Sequence, residues 1–275
     1  MANEKVCVTG ASGFLASWLV KRLLEEGYHV IGTVRDPGAR ERLELKKAAQ
    51  GAFDDIVQGC HGVFHVAAAV TLSYKDDPQT EIVDPCLLGT LNVLDACKRS
   101  TTVKRVVCTS SVTAVRVRND FKPDDVLDES VWSSPDCCRA KQWIDHAGYV
   151  HLDDVAQAHL LAYTNPKASG RYVCSAINMS AIELASFTSK RYPKHKIAST
   201  DEIEVRWPAN FKGFSSRKLQ DDLGIQFKSL EQMFDDCVES LERKGLLHAS
   251  NASVACMASK ISTIVMIEAL WVRLH

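Results

Sequence analysis

The sequence predicts an α/β fold, a doubly wound parallel sheet with a reduced C-terminal substrate region, on three observations. A short apolar run, Lys5 to Thr9, meets Gly10-Ala11-Ser12-Gly13 and then a stretch of helical period. Later apolar runs alternate with helical stretches, the order that crossover connections in a parallel sheet require. In a chain of 275 residues, 46% apolar and 24% charged, there is material for one large domain or two modest ones.

Lys5 to Thr9 is the first strand. Leu15, Trp18, Leu19 and Leu23 recur on one helical face, and Gly27 closes that helix. His29 to Arg35 is the next strand, so the opening is one βαβ unit. Gly62 to Val70 and Lys104 to Ser110 are further strands, apolar enough for burial on both faces, with a helix over Asp84 to Lys98 between them. After Arg139 the alternation weakens into a short strand (148–152), a helix from Asp153 to Tyr163 and a strand over 170–175. Ser229-Leu-Glu-Gln232 is a capping box opening a helix with Met233, Phe234, Cys237, Val238 and Leu241 inward, and Gly245 ends it.

Thirty-three basic against thirty-four acidic residues leave a formal charge of −1, so no long-range field draws the chain to nucleic acid or to an anionic membrane. Neither is an expected partner. The ten cysteines include no C-x-x-C pair and several lie in apolar runs, where they read as small buried hydrophobes in a reducing compartment. The opening Met-Ala-Asn-Glu-Lys has no basic flank followed by an apolar stretch. Cytoplasmic location is expected, and the Asn178 and Asn251 sequons then carry no weight. In the apolar tail, Lys260 and Glu268 leave seven uncharged residues between them, too few to span a bilayer. Floppy or aggregation-prone sequence is the expectation there.

The turn Gly10-Ala11-Ser12-Gly13 continues as Phe14-Leu15-Ala16, giving G-x-x-G-x-x-A between a strand and a helix. Glycines there allow close backbone approach, and the helix N-terminus faces a pyrophosphate, so these residues are the expected dinucleotide cradle. The second strand ends in Val34-Arg35-Asp36, with no acid at its tip; a guanidinium there suits the 2′-phosphate of NADP(H). Arg42 is a candidate second cation or a solvated helix charge.

VCVTGASGFLASWLVKRLLEEGYHVIGTVRDP, GCHGVFH, GTLNVLDACK, KRVVCTSS, LDESVWS, GYVHLDDVAQAH, ASGRYVCS and FKSLEQMFDDC together resemble the plant extended short-chain reductases. That family holds dihydroflavonol reductase, cinnamoyl-CoA reductase and, most similar in detail, tetraketide α-pyrone reductase. The resemblance spans nearly all of residues 4–247 and implies NADPH-dependent reduction of a small-molecule carbonyl, an aldehyde, ketone or CoA thioester, in phenylpropanoid, flavonoid or polyketide metabolism. It implies Ser111 as the hydroxyl on the carbonyl oxygen, with a Tyr as proton donor and a Lys four residues on that lowers the Tyr pKa. It also sets Ala67 beside the cofactor, in Val66-Ala67-Ala68 where the family reads Thr-Ala-Ser.

Two stretches of the family pattern are missing. Cys138-Arg-Ala-Lys141 runs straight into a segment that the relatives carry far downstream, so the Tyr-x-x-x-Lys helix and much of the substrate pocket are absent. Tyr163-Thr-Asn-Pro-Lys167 and Tyr192-Pro-Lys-His-Lys196 have the spacing, but proline in each blocks the helix that would bring Tyr and Lys together. Tyr149 has no Lys four residues on. Between Arg42 and Phe53 a further strand, bordering the adenine in relatives, is lost. The expected division is an NADP-binding domain over 1–141, the rest of the sheet and substrate region over 142–247, and an unmatched tail over 248–275. Two functional readings stay open: an active reductase with an unconventional proton donor, or a catalytically inactive, splice-truncated NADP-binding remnant. Oligomeric state is not readable.

Other signals have plain explanations. His61 and His65 have i, i+4 spacing but no third ligand at zinc spacing, so no metal is expected. Cys137-Cys138 reads as a loop pair, Lys190 to Lys196 as a solvated loop, and Asp153-Asp154 as a helix cap.

Overall fold

The computed structural model describes residues 4–34, 51–68, 75–120, 122, 124–140, 146–195, 212–245 and 268–272. They fall into two compact units, one of Met1–Thr109 with His159–Gly170 and Leu270–His275, the other of Ser110–Ala158 with Arg171–Ala269.

In the first unit the chain runs β1 (Lys5–Thr9), α1 (Phe14–Glu25), β2 (His29–Gly32), α2 (Asp54–Val57), β3 (Gly62–His65), a π-helical turn (Gln79–Val83), α3 (Asp84–Arg99) and β4 (Arg105–Ser110). The strands lie in the order β2-β1-β3-β4, all parallel, with Val6 opposite Val30 on one side and Gly62 on the other. Val6, Val8, Val63, Phe64, Val106 and Val107 are fully buried, which is why these runs carry no alternation of apolar and polar residues. Cys7, Cys60, Cys97 and Cys108 share one core cluster with Val57 and Val93. Burial pushes the Cys7 thiol up to about 12 and that of Cys108 up to about 11, so they behave as small apolar side chains. On α1, Leu15, Leu19 and Leu23 of the predicted stripe are buried together with Ala16, and Trp18 is only half-buried.

The second unit contains α4 (Thr113–Arg116), β5 (Val126–Leu127), α5 (Pro135–Arg139), β6 (His146–Tyr149), the start of α6 (Leu152–Thr164), β7 (Arg171–Tyr172), β8 (Ile177–Ser180), α7 (Ala181–Arg191), β9 (Gly213–Phe214), α8 (Arg217–Leu223) and α9 (Leu230–Arg243). β5 pairs in parallel with β9, and β6 pairs antiparallel with β8. The side-chain amide of Asn178 joins these pairs: its Nδ2 donates to the Phe214 carbonyl at 2.9 Å, and its Oδ1 accepts from the Phe214 N–H at 2.9 Å. The predicted capping box is present, Ser229 accepting from the Gln232 N–H while the Gln232 side chain accepts from the Ser229 N–H. Met233, Phe234, Val238 and Leu241 are buried behind it.

Several details differ from the sequence reading. Cys137 and Cys138 sit in α5, one buried and one exposed, rather than in a loop. The cap of α6 is His151, whose Nδ1 accepts from the Asp153 N–H at 3.0 Å. The acid pair turns instead to Lys228: Asp154 accepts from its backbone N–H and Asp153 from its Nζ, each at 2.8 Å. α6 ends at Thr164, ahead of Pro166, and its last carbonyls are gathered by Arg105, whose Nη1 donates to the carbonyl oxygens of Ala162, Tyr163 and Asn165. A cation there complements the helix C-terminus. Part of the tail also has a place in the fold: β10 (Glu268–Val272) lies beside β4. Its EALWV run supplies backbone partners to a strand edge that would otherwise be open.

Candidate active site

The glycine turn follows β1 at its C-terminal end. Gly10 has φ +68°, a backbone conformation that any side chain strains. A Cβ on it would come to 3.1 Å from both Cα and Cβ of Ala67, and one on Gly13 would come to 3.1 Å from the Gly10 carbonyl oxygen. The turn is held by Ala11 N–H donating to the Thr33 carbonyl at 2.8 Å, Gly10 N–H donating to Thr33 Oγ1 at 3.2 Å, and Gly13 N–H donating to the Gly10 carbonyl at 2.8 Å. Gly13 caps α1 with no side-chain acceptor, which leaves the first-turn amides and the positive end of the helix dipole to an anion. These features fit the pyrophosphate of a dinucleotide.

The predicted cradle residues divide by exposure. Ser12, Gly13 and Phe14 are exposed and Ala11 is half-buried. Leu15 points into the core, so only its backbone is available to a ligand. Ala67 packs on Gly10. Arg35 and Arg42 lie outside the described residues.

Three residues beside the turn went unrecognised in the sequence. Thr9, His65 and Thr90 form a chain of hydrogen bonds: Thr9 Oγ1 lies 2.9 Å from His65 Nδ1, and Thr90 Oγ1 lies 3.1 Å from His65 Nε2. The one available signal was a polar residue ending each of two otherwise apolar strands.

Ser111 follows β4 in the second unit. Its hydroxyl donates to Thr113 Oγ1 and accepts from the Thr113 N–H, each at 3.1 Å. The tyrosines raised by spacing are committed elsewhere. Tyr163 donates to Glu4 and Tyr192 to Asp235, both at 2.8 Å. Lys196 lies outside the described residues. Tyr149 is buried, and desolvation pushes its hydroxyl up to about 12, against the opposing pull of Arg116. His61 Nδ1 accepts from the Lys5 N–H and His65 is taken up by threonines.

The chain matches the NAD dependent epimerase/dehydratase family over residues 6–136. Tetraketide alpha-pyrone reductase 1 of Arabidopsis thaliana is 41% identical over 323 aligned positions, which take in 90% of this chain and 98% of the relative. The chain belongs to the plant short-chain reductases. Cinnamoyl-CoA reductase 1 of Petunia hybrida is 33% identical, over 90% of this chain and 95% of its own length. Among solved structures, vestitone reductase from alfalfa superposes with a TM-score of 0.70 at 28% identity, covering 88% of this chain and 99% of that one. A yeast methylglyoxal/isovaleraldehyde reductase complexed with NADPH has the same fold, with a TM-score of 0.68 at 19% identity and the same 88% of this chain covered.

Members of this family are NAD(P)-dependent oxidoreductases. Ninety per cent of this chain is about 248 residues, so of the 323 aligned positions about 75 in the Arabidopsis enzyme have no counterpart here. Among the described residues, no helix is long and apolar enough to cross a membrane.

Proposed function

We propose that this chain is an NADP(H)-dependent reductase of a small-molecule carbonyl in phenylpropanoid, flavonoid or polyketide metabolism, acting in the cytosol. The observation that carries the reading is the glycine turn: Gly10 at positive φ, closed against Ala67, beside an α1 N-terminus without a side-chain cap. Gly10, Ala11, Ser12 and Gly13, with the first-turn amides of Phe14 and Leu15, hold the phosphates, and Ala67 walls the cradle. Arg35, with Arg42 as a second cation, takes the 2′-phosphate. When bound, the nicotinamide supplies hydride to a carbonyl carbon. Ser111 turns its hydroxyl from Thr113 to the carbonyl oxygen and orients it.

A second reading is favoured by the tyrosines. With Tyr163 and Tyr192 bound to carboxylates and Tyr149 buried, none of them is poised to donate a proton. A chain that binds NADP(H) without turning over a carbonyl is then the outcome. One experiment separates the two. NADPH consumption is followed at the nicotinamide absorbance across aromatic aldehydes, dihydroflavonols and polyketide lactones, for the unmodified chain and Ser111→Ala. Turnover that collapses in Ser111→Ala supports the reductase; NADPH binding without turnover supports the inactive form.

A further inference from the structure

His65 ends β3 and is 6% exposed, with a threonine hydroxyl at each ring nitrogen. The donors around it can be assigned one by one. Thr9 Oγ1 accepts from the Val66 and Ala67 N–H groups, both at 3.1 Å. Both lone pairs of that oxygen are then used, and its single proton goes to His65 Nδ1. Nδ1 is therefore an acceptor, the ring proton sits on Nε2, and it is donated to Thr90 Oγ1. The Thr90 proton passes to the Cys86 carbonyl at 2.8 Å. Every donor is used once, and the ring is fixed in one tautomer and one orientation.

We propose that His65 is a positioning residue for the dinucleotide: held between Thr9 and Thr90, it fixes the Val66-Ala67 backbone on Thr9 and against Gly10, and so sets the shape of the phosphate cradle. The proposal rests on the nucleotide site argued above. Ala67 is the contact through which this acts, because its Cα and Cβ each stand only 3.1 Å from where a Gly10 Cβ would be. Loss of the Thr90 end leaves the ring free to turn, releases Thr9 Oγ1 to another partner and lets Ala67 drift from the turn. Burial keeps the ring neutral, its pKa pushed down to about 4, so the Nε2–H tautomer holds throughout the neutral range.

The test uses Thr90, which lies on α3 and is not part of the cradle. Thr90→Val removes the acceptor of the Nε2–H and Thr90→Ser keeps it. NADPH is titrated by fluorescence into the full chain and both variants, at a temperature where thermal melts without nucleotide show each one folded. The expected result is affinity within twofold of the parent for Thr90→Ser and at least tenfold weaker for Thr90→Val. A Thr90→Val chain with a lower melting temperature but parental affinity overturns the proposal, because a purely structural role predicts that pattern. Long-range 1H–15N spectra of the unmodified chain give a check that does not depend on variant folding. One histidine protonated on Nε2, still neutral at pH 5 and shifted by NADPH, is expected, and its absence overturns the assignment. Failure of the unmodified chain to bind NADPH overturns the nucleotide site itself and is recognised before any variant is compared.

Discussion

Tyr163 donates its hydroxyl proton to the Glu4 carboxylate at 2.8 Å, just before β1 begins. Its ring lies over Gly62 at the start of β3, with Phe64 and Tyr28 as aromatic neighbours. The glycine turn leaves β1 at the opposite end. A tyrosine with the family spacing is thus a fastening at the N-terminal edge of the sheet, and burial together with Glu4 holds its hydroxyl well above the usual tyrosine range.

Tyr163→Phe should therefore leave NADPH affinity unchanged and cost stability. Losing a half-buried hydrogen bond to a carboxylate is worth about 1–2 kcal/mol, read as a lower urea midpoint at constant slope. A loss of nucleotide binding in a folded Tyr163→Phe chain would contradict this placement.

Gly10→Ala combines two penalties. The left-handed backbone costs roughly 1–2 kcal/mol, and the new methyl meets Ala67 at 3.1 Å. The expected outcome is an NADPH affinity at least tenfold weaker and little thermal protection by the nucleotide. Parental affinity in this variant would show that the turn does not line the cradle.

The glycine turn was legible because it needs only a local signal: two glycines between an apolar strand and an amphipathic helix. The α9 capping box was legible for the same reason. The clamp on α6 by Arg105 and the bridge from Asn178 to Phe214 were not, since each joins residues 36 or more positions apart. β3 stops at His65 rather than Val70 because the next two amides turn to the Thr9 hydroxyl. A hydroxyl 57 residues earlier in the chain thus decides a strand end, which periodicity within the strand cannot report.

His65 gives a pH dependence of stability with a definite sign. Its folded pKa is depressed to about 4 from an ordinary 6.5 by burial, so the unfolded chain takes up a proton at higher pH than the folded one. Stability is flat above pH 6.5 from this group and falls as the pH drops from 6.5 towards 4, by about 3 kcal/mol in full. Urea unfolding at half-unit steps measures it, and His65→Gln should flatten that part of the curve. An unchanged slope in His65→Gln would assign the effect to other groups.

Arg35→Asp tests cofactor choice. Removing the guanidinium and adding a carboxylate should weaken NADPH at least tenfold while sparing NADH, because only the former carries a 2′-phosphate. Equal loss of both would contradict a phosphate role for Arg35.

Calorimetric titration of the purified full chain with NADPH bears most directly on the dinucleotide site. A saturable heat at one site per chain, with a matching rise in melting temperature, is the predicted result. No heat and no thermal protection at millimolar nucleotide would contradict it, and the family membership would then describe descent without retained binding.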